Sequence, residues 1–130
     1  MKAKVQGQRF RALPGHYAVC RLMADTAVPA WAVGPFVNIT FTPDELAIIC
    51  PAEGVPVNVR AERDWRVLKL VGPFPFTATG VIASLATPLA QAEISLLSIA
   101  TYDTDYFLVK ADVFDEAVAV LIAAGHTRIG

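Results

Sequence analysis

The sequence predicts an α+β fold built from two small units, each following the order strand, helix, strand, strand, helix, strand. In the second half of the chain, apolar runs of strand length alternate with two amphipathic helical stretches. The first half repeats this order in shortened form. We therefore place the units at residues 1–63 and 64–130. Units of about 65 residues are marginal alone, so we expect them to pack side by side, the first with shortened helices.

The second half opens with a strand over residues 65–71, which is rich in β-branched and aromatic residues and stops at Gly72-Pro73. An amphipathic helix follows, with Thr79 as its predicted N-cap. Its apolar face consists of Val81, Leu85, Leu89 and Ala92. Pro88 lies inside this helix and removes the hydrogen bond to the carbonyl of Ser84, so we expect a kink or a solvated carbonyl there.

A hairpin and a second helix complete this unit. Residues 94–100 and 106–109 are predicted strands, and the short polar residues Thr101-Tyr102-Asp103-Thr104-Asp105 between them favour an antiparallel turn. The second helix is predicted to begin with Asp112 as its cap and to end at Gly125. Its apolar face consists of Phe114, Ala117, Val118, Leu121 and Ile122. A short strand near residues 127–129 would close the unit.

The first half shows the same order with its helices reduced. The predicted strands are residues 16–22, 36–41, 45–50 and 58–62. Residues 29–32 are at most one helical turn, and Pro51 and Pro56 prevent a long second helix. The local repeat is the stretch Thr40-Phe41-Thr42-Pro43-Asp44, which matches Thr101-Tyr102-Asp103-Thr104-Asp105 at an offset of 61 positions.

Composition excludes several classes of function. A formal net charge of −1 gives no field for holding a phosphate backbone, so nucleic acid is not an expected partner. No apolar run approaches the roughly 18–20 residues that cross a bilayer, and no apolar segment follows the N-terminal lysines, so we expect a cytoplasmic protein with no membrane partner. The basic residues Lys2, Lys4, Arg9 and Arg11 are interpreted as a solvated arm.

No catalytic or metal-binding motif stands out. Cys20 and Cys50 are interpreted as buried small hydrophobes, because two thiols fit neither a disulfide framework nor a zinc site. His16 and His126 are interpreted as surface residues without neighbours at metal-ligand spacing. The glycines stand in turn dipeptides and not in phosphate-binding loops, so we expect no enzyme, no catalytic residue, no metal and no cofactor.

A family resemblance adds to this reading. Residues 80–95 resemble the first helix and second strand of ACT domains, the small-molecule sensor modules of aspartate kinases and other amino-acid enzymes. The stretch Thr101-Tyr102-Asp103-Thr104-Asp105-Tyr106, placed after that helix and behind a truncated repeat, is similar to the tandem-ACT group. This group includes stand-alone bacterial ACT proteins and the CASTOR arginine sensors. The resemblance covers residues 15–129, and Glu93 departs from it, since ACT domains usually place Gly there.

The resemblance implies two ferredoxin-like ACT units and a regulatory protein without catalytic activity. Such a protein would be a homodimer that binds a free amino acid at an interface between ACT units. Carried over by position, the ligand loop is Thr79, Gly80 and Val81, and the sensor residues are Thr101, Tyr102 and Asp105. The physical chemistry agrees, because a helix N-terminus favours a carboxylate, Gly80 permits close approach and Asp105 can take a cation.

Other interpretations stay open at this stage. Turn chemistry alone explains residues 101–105 as a plain hairpin, Thr79 as an ordinary cap and Gly80 as a helix-start residue. Asp103 can be a turn residue whose carboxylate bonds its own backbone. Asp44 can be a pseudo-symmetric relic of Asp105. A ligand-free adaptor that acts through its dimer surface is the alternative function. A small enzyme with a site between the halves is a third. The amino acid itself is not predicted.

Overall fold

The computed structural model describes residues 7–130 of the chain. The predicted arm residues Lys2 and Lys4 lie outside the described residues. Within this part the chain forms eight strands and two α-helices, which are β1 (Arg9–Ala12), β2 (Tyr17–Leu22), β3 (Asn38–Phe41), β4 (Leu46–Pro51), β5 (Arg60–Leu70), α1 (Val81–Gln91), β6 (Leu97–Ala100), β7 (Asp105–Lys110), α2 (Phe114–Ala123) and β8 (Thr127–Arg128). Two 3-10 turns, Ala52–Gly54 and Ala111–Val113, follow β4 and β7.

One compact unit comprises Gly15–Trp65. Its antiparallel strands are ordered β3-β4-β2 followed by the first part of β5. Strands β2 and β4 pair along their whole length, from Tyr17 opposite Pro51 to Leu22 opposite Leu46. As the prolines predict, only the turn Ala52–Gly54 follows β4 where a second helix would stand. A cluster of its core consists of Ala18, Cys20, Leu46, Ile48, Cys50 and Val55.

The other unit combines residues 7–14 with Arg66–Gly130. It follows the predicted order strand, helix, strand, strand, helix, strand, and the antiparallel β6–β7 hairpin is confirmed. An unpredicted strand, β1, lies between β5 and β8, antiparallel to the first and parallel to the second. The core lies where the sheet meets both helices and consists of Phe10, Leu68, Leu70, Val81, Leu85, Leu89, Ile94, Phe107, Val109, Phe114, Ala117, Val118 and Leu121.

Several sequence expectations about strands need correction. Arg9 and Arg11 are part of β1 and not of a solvated arm, although their side chains are exposed. The predicted strands 58–62 and 65–71 are one continuous strand, β5. Asp64 takes a positive φ of 65° inside it, and the register with β2 shifts there, which is the geometry of a bulge. The placement of the unit boundary at 63/64 stays a prediction.

The starts of both helices differ from expectation. Gly80 and not Thr79 is the N-cap of α1, and its φ of 81° is a conformation that favours glycine. Helix α2 begins at Phe114 behind a 3-10 turn that contains Asp112, and the Phe114 N–H donates to the carbonyl of Ala111. No side chain caps either helix, so the predicted caps Thr79 and Asp112 are wrong.

The ends of both helices share one hydrogen-bond pattern. After α1, the Glu93 N–H donates to the Ala90 carbonyl and the Ile94 N–H to the Leu89 carbonyl. After α2, Gly125 and His126 donate in the same way to Ile122 and Leu121. This is the Schellman motif, which requires a left-handed residue just past the helix. Gly125 supplies it at φ 100°, and Glu93, at a position where the ACT domains that the sequence resembles usually have Gly, supplies it at φ 59°.

Pro88 leaves the Ser84 carbonyl without its helical hydrogen bond, as the sequence predicts, but the carbonyl bonds a side chain and not solvent. The Nε2 atom of His126 lies 2.7 Å from the Ser84 carbonyl oxygen. The Nδ1 atom of the same ring accepts the backbone N–H of Gln8 at 2.9 Å. His126 is therefore buried, with 5% of its surface exposed, and its interpretation as a surface residue is wrong.

The helical faces are largely as predicted. Val81, Leu85 and Leu89 of α1 are buried, as are Phe114, Ala117, Val118 and Leu121 of α2. Ile122 is the exception, with 52% of its surface exposed. It follows Leu121 directly, and one residue turns the helix by about 100°, which carries Ile122 to the edge of the apolar face.

The internal repeat is present in the structure at a different offset. The first residues of β3 and β6, Asn38 and Leu97, lie 59 positions apart. The same offset separates the first residues of β4 and β7 and those of the two 3-10 turns. The predicted offset of 61 is therefore wrong by two residues. Asp44 corresponds to Asp103, and the position that corresponds to Asp105 is the buried Leu46.

Candidate functional site

A cavity of about 300 Å³ opens between the start of α1 and the β6–β7 hairpin. All its lining residues belong to the unit of residues 7–14 and Arg66–Gly130. Gly80 and Val81 line the helix side, and Thr101, Tyr102 and Asp105 line the hairpin side. Five of the six predicted ligand residues therefore meet at one cavity, and the sixth, Thr79, stands between the lining residues Ala78 and Gly80 without being part of the lining. The volume is that of a small-molecule site, at the lower end of about 300–1,000 Å³.

The helix side of the cavity carries unsatisfied donors. The first intrahelical bond runs from the Ser84 N–H to the Gly80 carbonyl at 2.9 Å, and no side chain caps the helix. The N–H groups of the first turn therefore lack intrahelical acceptors and add to a partial positive charge. A Cβ atom at Gly80 would meet nothing within 4 Å, so the backbone is open to an approaching ligand. This side is suited to a carboxylate.

The hairpin side carries a carboxylate. Asp105 is the first residue of β7 and pairs with Ala100. Burial raises the pKa of its carboxyl above the ordinary value. Among the described residues, its side chain forms no hydrogen bond and no ion pair. A partly desolvated carboxylate without a partner is unfavourable, and a cationic group in the cavity would relieve it.

Thr101 closes the turn of the β6–β7 hairpin. Its hydroxyl donates to the Thr104 carbonyl at 3.0 Å, and the Thr101 N–H donates to the same oxygen at 2.9 Å. In the other unit, Thr42 closes the β3–β4 hairpin on Glu45 in the same way. The plain-hairpin interpretation therefore explains the contacts of Thr101, but it does not explain the unpartnered carboxylate of Asp105.

Two aromatic side chains stand exposed at the rim. Phe76 and Tyr102 meet edge to face with ring centroids 5.1 Å apart, and 78% and 80% of their surfaces are exposed. Exposed apolar patches of this kind mark interaction sites. Tyr102 is a predicted ligand residue, whereas Phe76 was not singled out. The signal that could have found it is the Phe74-Pro75-Phe76 stretch, an aromatic pair in a loop just before a helix.

The remaining titratable groups do not extend the site. His16 is exposed and lies 3.4 Å from the Asp64 carboxylate. The thiols Cys20 and Cys50 are free and buried, as predicted, and burial raises the pKa of Cys50 to about 11. Residues 7–130 contain no group of three or more His, Cys, Asp or Glu side chains that could hold a metal ion. In the same span, no helix has the length and apolar character needed to cross a membrane.

Comparison with known proteins gives two family matches. Residues 60–123 match the family of the ACT domain, and residues 15–58 match a second family, described as an N-terminal domain. The chain is similar to subunit 1 of the cytosolic arginine sensor for mTORC1 from Homo sapiens, at 38% identity over 58 residues. That stretch covers 44% of this chain and only 18% of the sensor subunit.

Solved structures resemble the chain over most of its length. Protein Atu0741 from Agrobacterium tumefaciens is 36% identical, with a TM-score of 0.91 over 96% of this chain and 94% of that one. The regulatory subunit of aspartate kinase from Thermus flavus has a TM-score of 0.63 at 12% identity, over 92% of this chain and 97% of that one. The latter likeness concerns the fold alone. Together these neighbours confirm the predicted α+β fold of ferredoxin-like units.

Proposed function

We propose, from the premise that this chain belongs to the ACT domain family, that it is a regulatory protein that binds a free amino acid and catalyses no reaction. The family resemblance stated from residues 80–106 is confirmed by the match over residues 60–123. The observation that carries the proposal is that Asp105 and the uncapped start of α1 line the same cavity. An amino acid has the two opposite charges that such a cavity needs.

The polarity of the cavity orients the ligand. Its α-carboxylate would accept hydrogen bonds from the first N–H groups of α1, beside Thr79, Gly80 and Val81. A cationic group of the ligand would then pair with Asp105. Either the α-ammonium or a basic side chain meets this requirement, since both present N–H donors to a carboxylate. Thr101 shapes the hairpin, and Tyr102 covers the ligand from the rim.

A second copy of the chain would complete the site. The rim residues Phe76, Tyr102 and Ile82 are 78%, 80% and 46% exposed. Neighbouring exposed apolar side chains of this kind are typical of a surface that another protein covers. We therefore propose a cytoplasmic homodimer in which another ACT unit covers the cavity. A ligand bridging the two units would favour the closed arrangement by its differential affinity, and this linkage is the regulatory signal.

A thermal-shift panel of the twenty amino acids tests this proposal. A ligand present at 100 times its dissociation constant adds about 2.7 kcal/mol of stability, so one amino acid or a small related group is expected to raise the Tm. A panel in which no amino acid changes the Tm would contradict the sensing function. If such a chain still formed dimers, the exposed pair Phe76 and Tyr102 would point to the alternative function, an adaptor that acts through its dimer surface.

A further inference from the structure

A second cavity, of about 340 Å³, lies in the same unit and carries cations instead of an open helix start. Arg11 of β1, Lys69 of β5 and Tyr106 of β7 line it, together with the hairpin residues Thr101, Asp103 and Thr104. Asp105 and the start of α1 are not part of this lining. The two cavities share the hairpin residues Thr101, Asp103 and Thr104, but only the second is lined by cationic side chains.

The two cations are direct neighbours across the sheet. In the antiparallel pairing of β1 with β5, Arg11 stands opposite Lys69. Side chains of such a pair have Cβ atoms about 4.5–5.5 Å apart, and like charges placed there destabilise the sheet. Neither side chain has an ion pair with a carboxylate among the described residues. The Lys69 ammonium lies 5.8 Å from the centroid of the Tyr106 ring, which is its only charge-related contact that the structure records within residues 7–130.

The wall opposite the strands is firmly built. The Phe74 N–H donates to the Asp103 carbonyl at 2.9 Å, which fastens the loop after β5 to the hairpin. A Cβ atom at Gly72 would come within 2.8 Å of that same carbonyl oxygen, so only glycine fits there. The hydroxyl of the buried Thr104 donates to the Leu70 carbonyl at 3.0 Å. Asp103 lines the cavity as well, so the lining residues carry two cations against one anion.

We infer that this second cavity binds an oxyanion group, a carboxylate or a phosphate, held between the Arg11 guanidinium and the Lys69 ammonium. A guanidinium matches the planar, two-oxygen geometry of both groups, and an ammonium adds a point charge. An anion between them would turn a repulsive cross-strand pair into two attractive contacts. The inference goes beyond the amino-acid site and does not depend on it, since Arg11 and Lys69 line only the second cavity and Asp105 lines only the first.

Thermal-shift titrations with sodium phosphate and with sodium malonate, at constant ionic strength, test this inference. Both anions, or one of them, should raise the Tm of the unaltered chain saturably, and the two arms tell phosphate from carboxylate recognition. Arg11→Gln and Lys69→Gln should each require about tenfold more anion or lose the shift, because each removes a charged hydrogen-bond partner. Arg9→Gln is the matched control, an exposed arginine of the same strand that does not line the cavity.

A second readout separates the site from general charge effects. Without either anion and at low ionic strength, Lys69→Gln should be at least as stable as the unaltered chain, because it removes like-charge repulsion. At saturating anion the order should reverse. The inference is overturned if neither anion shifts the Tm, if all three variants respond like the unaltered chain, or if Lys69→Gln is already less stable without anion.

Discussion

His126 shows how a single side chain can complete a helix that a proline has interrupted. A carbonyl only accepts and a backbone N–H only donates, so the contacts to Ser84 and Gln8 place the ring proton on Nε2. Both partners are backbone groups, of which the Gln8 N–H is buried and the Ser84 carbonyl is half-buried. The ring therefore donates the hydrogen bond to the Ser84 carbonyl that Pro88, which has no N–H, cannot donate. It also joins α1 to the segment before β1.

A double-mutant cycle tests this role of His126. His126→Ala should lower the free energy of unfolding by about 1–3 kcal/mol, because it removes the side chain that bonds the buried Gln8 N–H and the half-buried Ser84 carbonyl. Pro88→Ala restores an N–H that can reach the Ser84 carbonyl, so His126→Ala should cost less in that background. Chemical denaturation measures all four chains, and His16→Ala, at an exposed histidine, is the control. Strictly additive effects would refute the compensation.

Glu93 occupies a position whose backbone favours glycine. It has the same place in the Schellman motif after α1 that Gly125 has after α2, and its φ is 59°. A non-glycine residue in this conformation destabilises the fold by roughly 1–2 kcal/mol. Glycine avoids this strain, but it also raises the entropy of the unfolded chain, which offsets part of the gain in stability. Glu93→Gly should therefore raise the free energy of unfolding by about 0.5–1 kcal/mol, and Gly125→Ala should lower it by a similar amount. Equilibrium denaturation that finds Glu93→Gly destabilising would contradict this account.

Asp105 should reduce stability in the absence of ligand. Burial raises the pKa of its carboxyl above the ordinary 3.8, so on raising the pH the unfolded chain loses this proton first. Stability then falls between the ordinary pKa and the raised one, and the full loss is present above the raised value. Asp105→Asn removes the charge and should be at least as stable as the unaltered chain at pH 7, with the difference vanishing below about pH 4. Thermal denaturation of both chains between pH 4 and pH 7 measures this difference in stability. If the stability of Asp105→Asn relative to the unaltered chain fell as the pH rose, the prediction would be contradicted.

At the scale of elements, periodicity and turn chemistry predicted most of the larger unit. The apolar spacing of Val81, Leu85 and Leu89 located α1, and the polar run at residues 101–105 located the hairpin. These signals are local, because a face or a turn is encoded within a few residues. Strand β1 was missed because its neighbours β5 and β8 lie far along the chain. The contacts of His126 were missed for the same reason.

The repeat shows the limit of matching letters. The pattern of threonine, aromatic residue and aspartate aligned Thr40 with Thr101, whereas the hydrogen bonds align Thr42 with Thr101. The threonine that closes each turn is the equivalent residue, and only coordinates reveal which one does so. With this alignment the smaller unit has Leu46 where the larger one has Asp105. The proposed site should therefore occur once per chain.

At the scale of the whole molecule, the two units differ in what they offer a ligand. The unit of residues 7–14 and Arg66–Gly130 holds both cavities discussed above, together with the exposed pair Phe76 and Tyr102. The unit Gly15–Trp65 keeps the sheet and has only the turn Ala52–Gly54 in place of an α-helix after β4. We therefore expect sensing to reside in the larger unit.

Titration calorimetry, with the amino acid that raises the Tm most, measures whether Asp105 and the start of α1 bind a ligand together. One amino acid should bind per chain, and Asp105→Asn should lose at least about tenfold in affinity through the lost charge pair. Asp44→Asn, which removes a carboxylate from the equivalent turn of the other unit, should bind like the unaltered chain. Unchanged affinity in Asp105→Asn, or an equal loss in both variants, would contradict the proposed site.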